Sequence, residues 1–572
     1  MPLRRPLVLG SLLALLLAGP AAAAQAPDYV DLTKRKLLPL QIAVPGAVAG
    51  SALATGDFNG DGADDLAVGA HGASPADRVN AGAAEVLYGP ITGGRPKGRL
   101  LILGPEPGAR AGIALADVGD ITGDGISDLA VGASQASPEG RTTAGVVRIV
   151  PGGATGVYDM ARGDLPGFSI LGAAPADNAG RALAGIGDQD GDEIPDMLVG
   201  APGVDAFGRV RAGAAYVVRG GTLRLRSVDL AAASGAAQRF GGAAEGAVTG
   251  YAVAGGGDRD GDDVPDFAIG APEDQLRAGR VYVVTGGLRS AGVDLAGAAG
   301  GIVRVTGERP GYLFGFSLAD LGDFNGDGLS DLAAGAWGAS PRDRRSAGQV
   351  FVLTKDPTRL RPTILGAATR DRLGRAVAAA GDVDSDGRAD LLAGASSADL
   401  GDAEYAGAVA IVPARKRSTF DLDDFVTRIA LSGTPRQTRL GDALAGDADL
   451  DGDGRVDAAL GAPGAGGMSK RGGVLLVPNP YPVDLDVERV RRSWCAAGRL
   501  RFSVRLDGAA SVRGFLTSGV RRRQLRRSLP AGFTELSFPW AGRSSAAARL
   551  QVRATGRDGR RVQRTVRVPA GC

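Results

Sequence analysis

The segment DFNGDGADDLAVGA, residues 57–70, recurs through most of the chain. Six further copies follow: DITGDGISDLAVGA, DQDGDEIPDMLVGA, DRDGDDVPDFAIGA, DFNGDGLSDLAAGA, DVDSDGRADLLAGA and DLDGDGRVDAALGA. They begin at residues 57, 120, 188, 258, 323, 382 and 449, a mean spacing of about 65 residues. A fixed period of this length means a repeat architecture, in which each unit is a supersecondary element unable to bury its apolar face alone. Each unit reads as four short strands, a to d. In the second, strand a lies at 101–104, b starts at Gly112, c at Leu129 and d at Gly145. Short apolar and β-branched runs between Gly, Pro, Asp and Ser clusters signal an all-β fold. Four strands repeated seven times predict a seven-bladed β-propeller over residues 37–480. The ring must also close. Residues 37–44, LLPLQIAV, read as an a-type strand that completes the seventh blade from outside, because the chain leaves the last unit after a d strand starting at Gly472.

Each copy concentrates acids between strands b and c. Two carboxylates about 4 Å apart repel by several kcal/mol at an effective dielectric near 20, which favours a cation between them. In the first copy Asp57, Asn59, Asp61 and Asp65 hold positions 1, 3, 5 and 9, Gly62 makes the turn at position 6, and Ala63 offers its carbonyl at position 7. Oxygen donors at this spacing suit Ca²⁺. An EF-hand is excluded, since position 12 is Val68 within a strand rather than a bidentate Glu. The corresponding sets are Asp120, Thr122, Asp124, Ile126 and Asp128; Asp188, Asp190, Asp192, Ile194 and Asp196; Asp258, Asp260, Asp262, Val264 and Asp266. The last three are Asp323, Asn325, Asp327, Leu329 and Asp331; Asp382, Asp384, Asp386, Arg388 and Asp390; and Asp449, Asp451, Asp453, Arg455 and Asp457. Up to seven structural calcium ions are expected.

These units resemble FG-GAP repeats, the building block of the integrin α-subunit N-terminal propeller. The resemblance rests on Phe314-Gly315, the GD-x-[DN]-x-DG loop and the DLAVGA-type strand after it, and it covers roughly residues 37–480. Most units lack the Phe, Thr122 stands at position 3 of the second loop, and Glu193 and Asp263 replace the turn Gly in the third and fourth. A side chain at a left-handed position costs energy, least for Asp, so those loops are expected to bind more weakly. The resemblance implies calcium on one face and ligand on the other. It implies no partner β subunit.

The termini differ from the repeats. Residues 1–24 carry Arg4 and Arg5, an apolar run from Leu7 to Ala18 and small residues at 22–24, the pattern of a secretory signal peptide. A linker is expected at 25–36, and a secreted or cell-surface monomer with no membrane span is the simplest outcome. Residues 484–572 hold 20 Arg against 6 acids, a net charge of +14 in a chain of +2 overall. Their alternation (RLRFSVRL, ARLQVRA, RRVQRTVRV) predicts a small β-sandwich-like domain. The two cysteines, Cys495 and Cys572, both fall there. In an exported chain they are expected to form a disulfide. The run VRRRQLRRS, 520–528, suits a solvated face or an anionic polymer better than nucleic acid, since no nucleic-acid module accompanies it.

Catalytic chemistry is sparse. His71 is the only histidine, and no Walker loop, GxSxG elbow or zinc-ligand set is present. A non-catalytic adhesion or ligand-recognition module is therefore expected, with a lectin or a carbohydrate-active hydrolase or lyase on the same scaffold as the alternative. Arg162-Gly163-Asp164 matches an adhesion tripeptide, but a chain rich in those residues gives about one such match by chance. The calcium loops join b to c, so the variable c-to-d loops lie on the opposite face. Variable loops on a rigid frame usually carry recognition. Arg78, Phe207, Arg209, Arg277, Tyr312, Trp337, Arg344, Arg345 and Tyr405 are the contact candidates there for an extracellular protein or glycan.

Overall fold

In the computed structural model the repeats form seven antiparallel sheets in a β-propeller. The described residues are 29–31, 38, 40–42, 46–162, 167–223, 226–232, 235–287, 292–297, 300–356, 363–383, 386–399, 404–414, 419–423, 428–430, 437–465 and 471–478. Beyond these come the strands of 486–568. Residues 1–24, Cys572, Gly163 and Asp164 lie outside them, and with them the signal peptide, the disulfide and most of the Arg-Gly-Asp motif.

The first blade shows the plan. Strand b, Ala52–Gly56, is innermost; c, Asp65–Ala70, and d, Ala83–Tyr88, follow outward. Strand c is buried along its whole length, as its unbroken apolar run requires. The fourth strand, Gly98–Leu103, is strand a of the next unit, paired antiparallel to d with Ala84 opposite Ile102. Each blade is therefore completed by the chain that leads into its successor.

Four strands per blade undercounts five of the seven blades. A short fifth strand runs parallel to the outermost one: Gly156–Asp159 along Leu100–Leu103, Val228–Asp229 along Ile170–Leu171, and Gly292–Asp294 along Arg239–Gly241. Thr419–Asp421 does the same along Thr363–Leu365. Each comes from the d-to-a connection of the following unit. Tyr29–Asp31, expected within a linker, is the fifth strand of the sixth blade, parallel to Arg428–Ala430. The chain then passes to Leu38, whose N–H donates to the Val474 carbonyl at 2.8 Å beside the last d strand. One N-terminal stretch thus serves two blades, in the order followed by the four d-to-a connections that form a fifth strand.

A glycine contact repeated at every blade junction shows that the ring is closed. A Cβ on Gly69 of strand c would lie 2.1 Å from the Gly112 carbonyl oxygen, which precedes strand b of the next blade. The same approach recurs for Gly132 and Gly180, Gly200 and Gly250, Gly270 and Gly315, Gly335 and Gly374, and Gly394 and Gly441, at 2.0–2.2 Å. The seventh pair, Gly461 and Gly50 at 2.2 Å, joins the last blade to the first. No side chain fits there, which explains the glycine of each GA dipeptide. Aromatic edges fill other junctions, such as Phe240 against Phe267 and Phe314 against Phe351, both T-shaped at 5.3 Å between centroids.

The C-terminal region forms two antiparallel sheets. One holds Asp486–Arg489, Cys495–Ala496, Arg499–Leu506 and Gly532–Pro539; the other holds Ala510–Ser518, Arg521–Leu529, Ala548–Gly556 and Arg561–Val568. The alternating segments noted in the sequence are all strands.

Candidate metal loops and ligand face

Each b-to-c loop winds around its first carboxylate. Asp57 accepts from the N–H groups of Gly60, Asp61 and Gly62 at 2.8, 3.2 and 2.9 Å. Asp120, Asp323 and Asp449 repeat the set. The position-5 acid accepts from the position-7 N–H, as Asp61 does from Ala63 at 3.0 Å. Glu193 and Asp263 stand at φ 67° and 66°, so the left-handed turn survives the loss of glycine.

The position-9 aspartates are different. Asp65, Asp128, Asp196, Asp266, Asp331, Asp390 and Asp457 are all buried, at 0–1 % exposure. In five of them one carboxylate oxygen reaches a backbone N–H just beyond strand d: Gly89 at 2.7 Å, Gly152 at 2.9, Gly220 at 2.9, Gly286 at 2.8 and Ala414 at 2.7. The other oxygen is held from within the loop, as by the Phe58 N–H at 2.9 Å. Position 9 therefore ties the loop to the blade. Burial, with the nearby acids adding to it against these hydrogen bonds, pushes Asp65, Asp196 and Asp331 up to about 7 and Asp128 to about 6. A buried carboxyl beside further acids is stabilised as the anion only if a cation joins it.

Three loops bring carboxylate oxygens within 4.8 Å of one another: Asp188, Asp190 and Asp196; Asp258, Asp260 and Asp262; and Asp449, Asp451 and Asp453. The oxygen-only donor set fits a hard cation. In the first, second and fifth loops Asn59, Thr122 and Asn325 stand at position 3 and donate side-chain hydrogen bonds to the position-9 acid. Asp384 lies outside the described residues. Basic neighbours reach three of the loops: Lys97 to Asp61 at 3.3 Å, Arg219 to Asp190 at 3.4 Å, and Lys355, which donates to the Asp260 carbonyl at 3.2 Å.

On the opposite face the candidate contacts divide. Arg78, Arg209 and Arg344 are not free anchors: each is ion-paired to the aspartate of a fifth strand, Asp159 at 2.8 Å, Asp294 at 2.5 Å and Asp421 at 2.8 Å. Arg141 completes the series with Asp229 at 2.7 Å. The recurrent apolar-Asp pair of VYD, SVD, GVD and TFD was the signal in the sequence for this clamp, and sequence reasoning missed it. Tyr312 is buried in the core between blades and presents no surface. Arg277, Arg345 and Tyr405 are exposed. Phe207 is 43 % exposed between the guanidiniums of Arg209 and Arg239.

Trp337, just after strand c of the fifth blade, joins a chain of contacts at the central mouth with Arg181, Tyr251, Phe316 and Arg375, which directly precede the innermost strands of their blades. Arg181 stacks on Tyr251 at 4.4 Å and donates to its hydroxyl at 2.9 Å. Tyr251 meets Phe316, Phe316 meets Trp337, and Arg375 lies 5.5 Å from the Phe316 ring. Arg375 then pairs with Asp442 at 2.5 Å, which also takes Arg439 at 3.1 Å. His71 sits at the same level, its Nδ1 2.8 Å from Ser51 Oγ. Burial, then Arg110 and Arg181, hold it down to about 4, with Asp442 opposing. Asp442 is committed to two arginines, so among the described residues Ser51 and His71 have no third group oriented for a triad.

Comparison with known proteins agrees with this geometry. The FG-GAP repeat family matches residues 49–87 and 115–150, and the FG-GAP-like repeat family matches 323–393. The matched stretches are FG-GAP repeats, and the propeller is integrin α-like. Among curated FG-GAP relatives, integrin alpha-PS2 of Drosophila melanogaster is 37 % identical over 163 residues, 27 % of this chain and 12 % of its own. Human integrin alpha-IIb is 35 % identical over 171 residues, 28 % and 16 % of the two chains. Human phosphatidylinositol-glycan-specific phospholipase D is 33 % identical over 168 residues, 28 % and 19 %. The matched stretch spans less than a fifth of each of these relatives, which are named as integrins and as a phospholipase.

Proposed function

We propose that this FG-GAP protein is a secreted, calcium-stabilised propeller that recognises an extracellular ligand without catalysis, with calcium in the b-to-c loops and ligand on the c-to-d face. The observation that carries the calcium half is the buried position-9 aspartate, recurring in all seven loops at 0–1 % exposure with other acids beside it. Asp57, Asp61 and Asp65 with Asn59 would hold an ion in the first loop, and the equivalent residues in the others. The ion would supply only the positive charge that lets these acids stay ionised together. The N-terminal pattern of Arg4, Arg5 and the apolar run after them supports secretion. Among the described residues no helix is long and apolar enough to cross a membrane.

Thermal unfolding of the mature protein with calcium and then with excess EGTA tests this reading, together with a calorimetric titration. An ion that binds only the folded state raises its stability by about 2.7 kcal/mol at a hundredfold excess over Kd. A clear rise in Tm with several ions bound supports it. Equal Tm values and no heat of binding refute it.

A further inference from the structure

The mouth of the ligand face is basic, although the propeller's other face is lined with acid loops. Arg110, Arg181, Arg375 and Arg439 gather at the ends of the innermost strands or in the turns before them, and three of these four help to hold His71 neutral. The one acid acting on His71 is Asp442, already shared by Arg375 and Arg439. A cavity of about 500 Å³ opens beside this cluster between the second, third and fourth blades. That volume falls within the range of pockets that hold small organic ligands. Its wall carries Arg181 and Tyr251 on the axial side, and Arg211 with Thr143, Asn178 and Gln135 from the surrounding loops.

The groups that line it are unequal in their commitments. Arg181 is locked over Tyr251, so its guanidinium is already positioned and loses little freedom on binding. Arg211 is exposed, and among the described residues its side chain has no ion-pair partner. The Asn178 amide donates to the Thr143 carbonyl at 2.9 Å, which fixes the orientation of its carboxamide. Glu273, exposed, is the one acid in the wall. The result is two guanidiniums for an anionic group, amide and hydroxyl groups for directional hydrogen bonds, and a tyrosine edge.

We infer that this cavity binds an acidic saccharide, a sugar bearing a carboxylate or a sulfate. Guanidinium forks match both groups in geometry. The amides, the threonine hydroxyl and Glu273 suit the hydroxyls of a sugar ring, each of which both donates and accepts, whereas in an acidic peptide only the backbone amides could pair with them. The inference rests on the reading of the c-to-d face as the ligand face and gives that face a chemical class.

The test is titration of the full mature protein, in calcium, with short oligogalacturonates, with sulfated oligosaccharides, with neutral oligosaccharides of equal length and with a short glutamate peptide. Arg181→Ala and Arg211→Ala are titrated alongside. Arg211 is exposed, so its variant is expected to keep the wild-type Tm, and both variants are checked by their Tm. Binding of an acidic saccharide that weakens at least tenfold in each variant is the expected result, and the better of the two acidic probes tells carboxylate from sulfate. Equal binding of neutral sugars, or binding of the peptide alone, overturns the class. Acidic sugars bound equally by wild type and variants overturn the site and point to the Arg-rich C-terminal region. Failure of every probe at millimolar concentration overturns the inference. The wider ligand-face reading fails separately, if a ligand found by any route protects no c-to-d loop from hydrogen exchange.

Discussion

Arg344 separates two readings of the arginines that close the c-to-d loops. As a ligand anchor it would be dispensable to the fold; as a clamp it is not. Its side chain is 16 % exposed and that of Asp421 only 4 %, and both carboxylate oxygens accept from Nη2, at 2.8 and 2.9 Å. A further bond runs from Nη1 to the Ala367 carbonyl at 3.1 Å. Removing one partner of a buried pair costs about 3–5 kcal/mol, because the other charge is left uncompensated. Arg342, 2.5 Å from Asp421, remains to relieve part of this, so Arg344→Ala is expected to cost about 2 kcal/mol. Arg141→Ala meets a more exposed acid, Asp229 at 36 %, and is expected to cost under about 1 kcal/mol. Because a seven-bladed ring need not unfold in one step, the sensitive assay is hydrogen exchange of the fifth strand, Thr419–Asp421, and of the Leu422 N–H bonded to Leu365. Arg344→Ala should speed exchange there and leave distant blades unchanged. Wild-type exchange and Tm in that variant would refute the clamp and return Arg344 to the surface as an anchor.

Two further outcomes follow from the same geometry. Gly461→Ala places a methyl 2.2 Å from the Gly50 carbonyl at the ring-closing junction and should cost at least about 1–3 kcal/mol, read as a fall in Tm; Gly292→Ala, with nothing within 4 Å, should change little. His71 is held near 4 by burial and by Arg110 and Arg181, below the ordinary 6.5, so between those values the unfolded chain binds the proton more readily than the folded one. The stability this histidine contributes is complete above about pH 6.5 and is lost as pH falls toward 4. In calcium, the Tm difference between wild type and His71→Gln should therefore shift against wild type from pH 7.5 to pH 5, and a constant difference would refute the assignment.

What the sequence made legible was whatever the repeat states outright. Seven acid loops, strand c and the glycine before strand b recur in register, and each reports one physical demand: oxygen donors, a fully buried strand, backbone-to-backbone contact between blades. The fifth strand escaped because it is two to four residues long and shows only an apolar residue and an aspartate, a signal too weak beside the loops. Missing it misplaced three arginines, since Arg on a variable loop looks like an anchor until its partner some 77–85 residues away is known. Tyr312 failed for another reason: it stands beside Phe314 in the stretch that the next blade covers, and a turn-rich sequence does not reveal which of its aromatics face inward.

The fifth strand also changes what holds the ring together. A four-stranded blade closed by one outer strand is fastened only along its own edge, whereas here every described d-to-a connection that forms a fifth strand reaches back to the preceding blade and, in four cases, is pinned by an arginine from that blade's c-to-d loop. Neighbouring blades are thus joined by glycine contacts at every junction and, at four of them, at the rim by a parallel strand and a charge pair. The N-terminal stretch from Tyr29 to Ile42 plays this part for the sixth and seventh blades, which have no later unit to supply it. Closure then uses the same glycine contact found at every other junction, and in four blades the c-to-d loop is held in place from its outer side. That fixes the frame around the central mouth, where Arg181, Tyr251, Phe316 and Arg375 are already locked to one another before any ligand arrives.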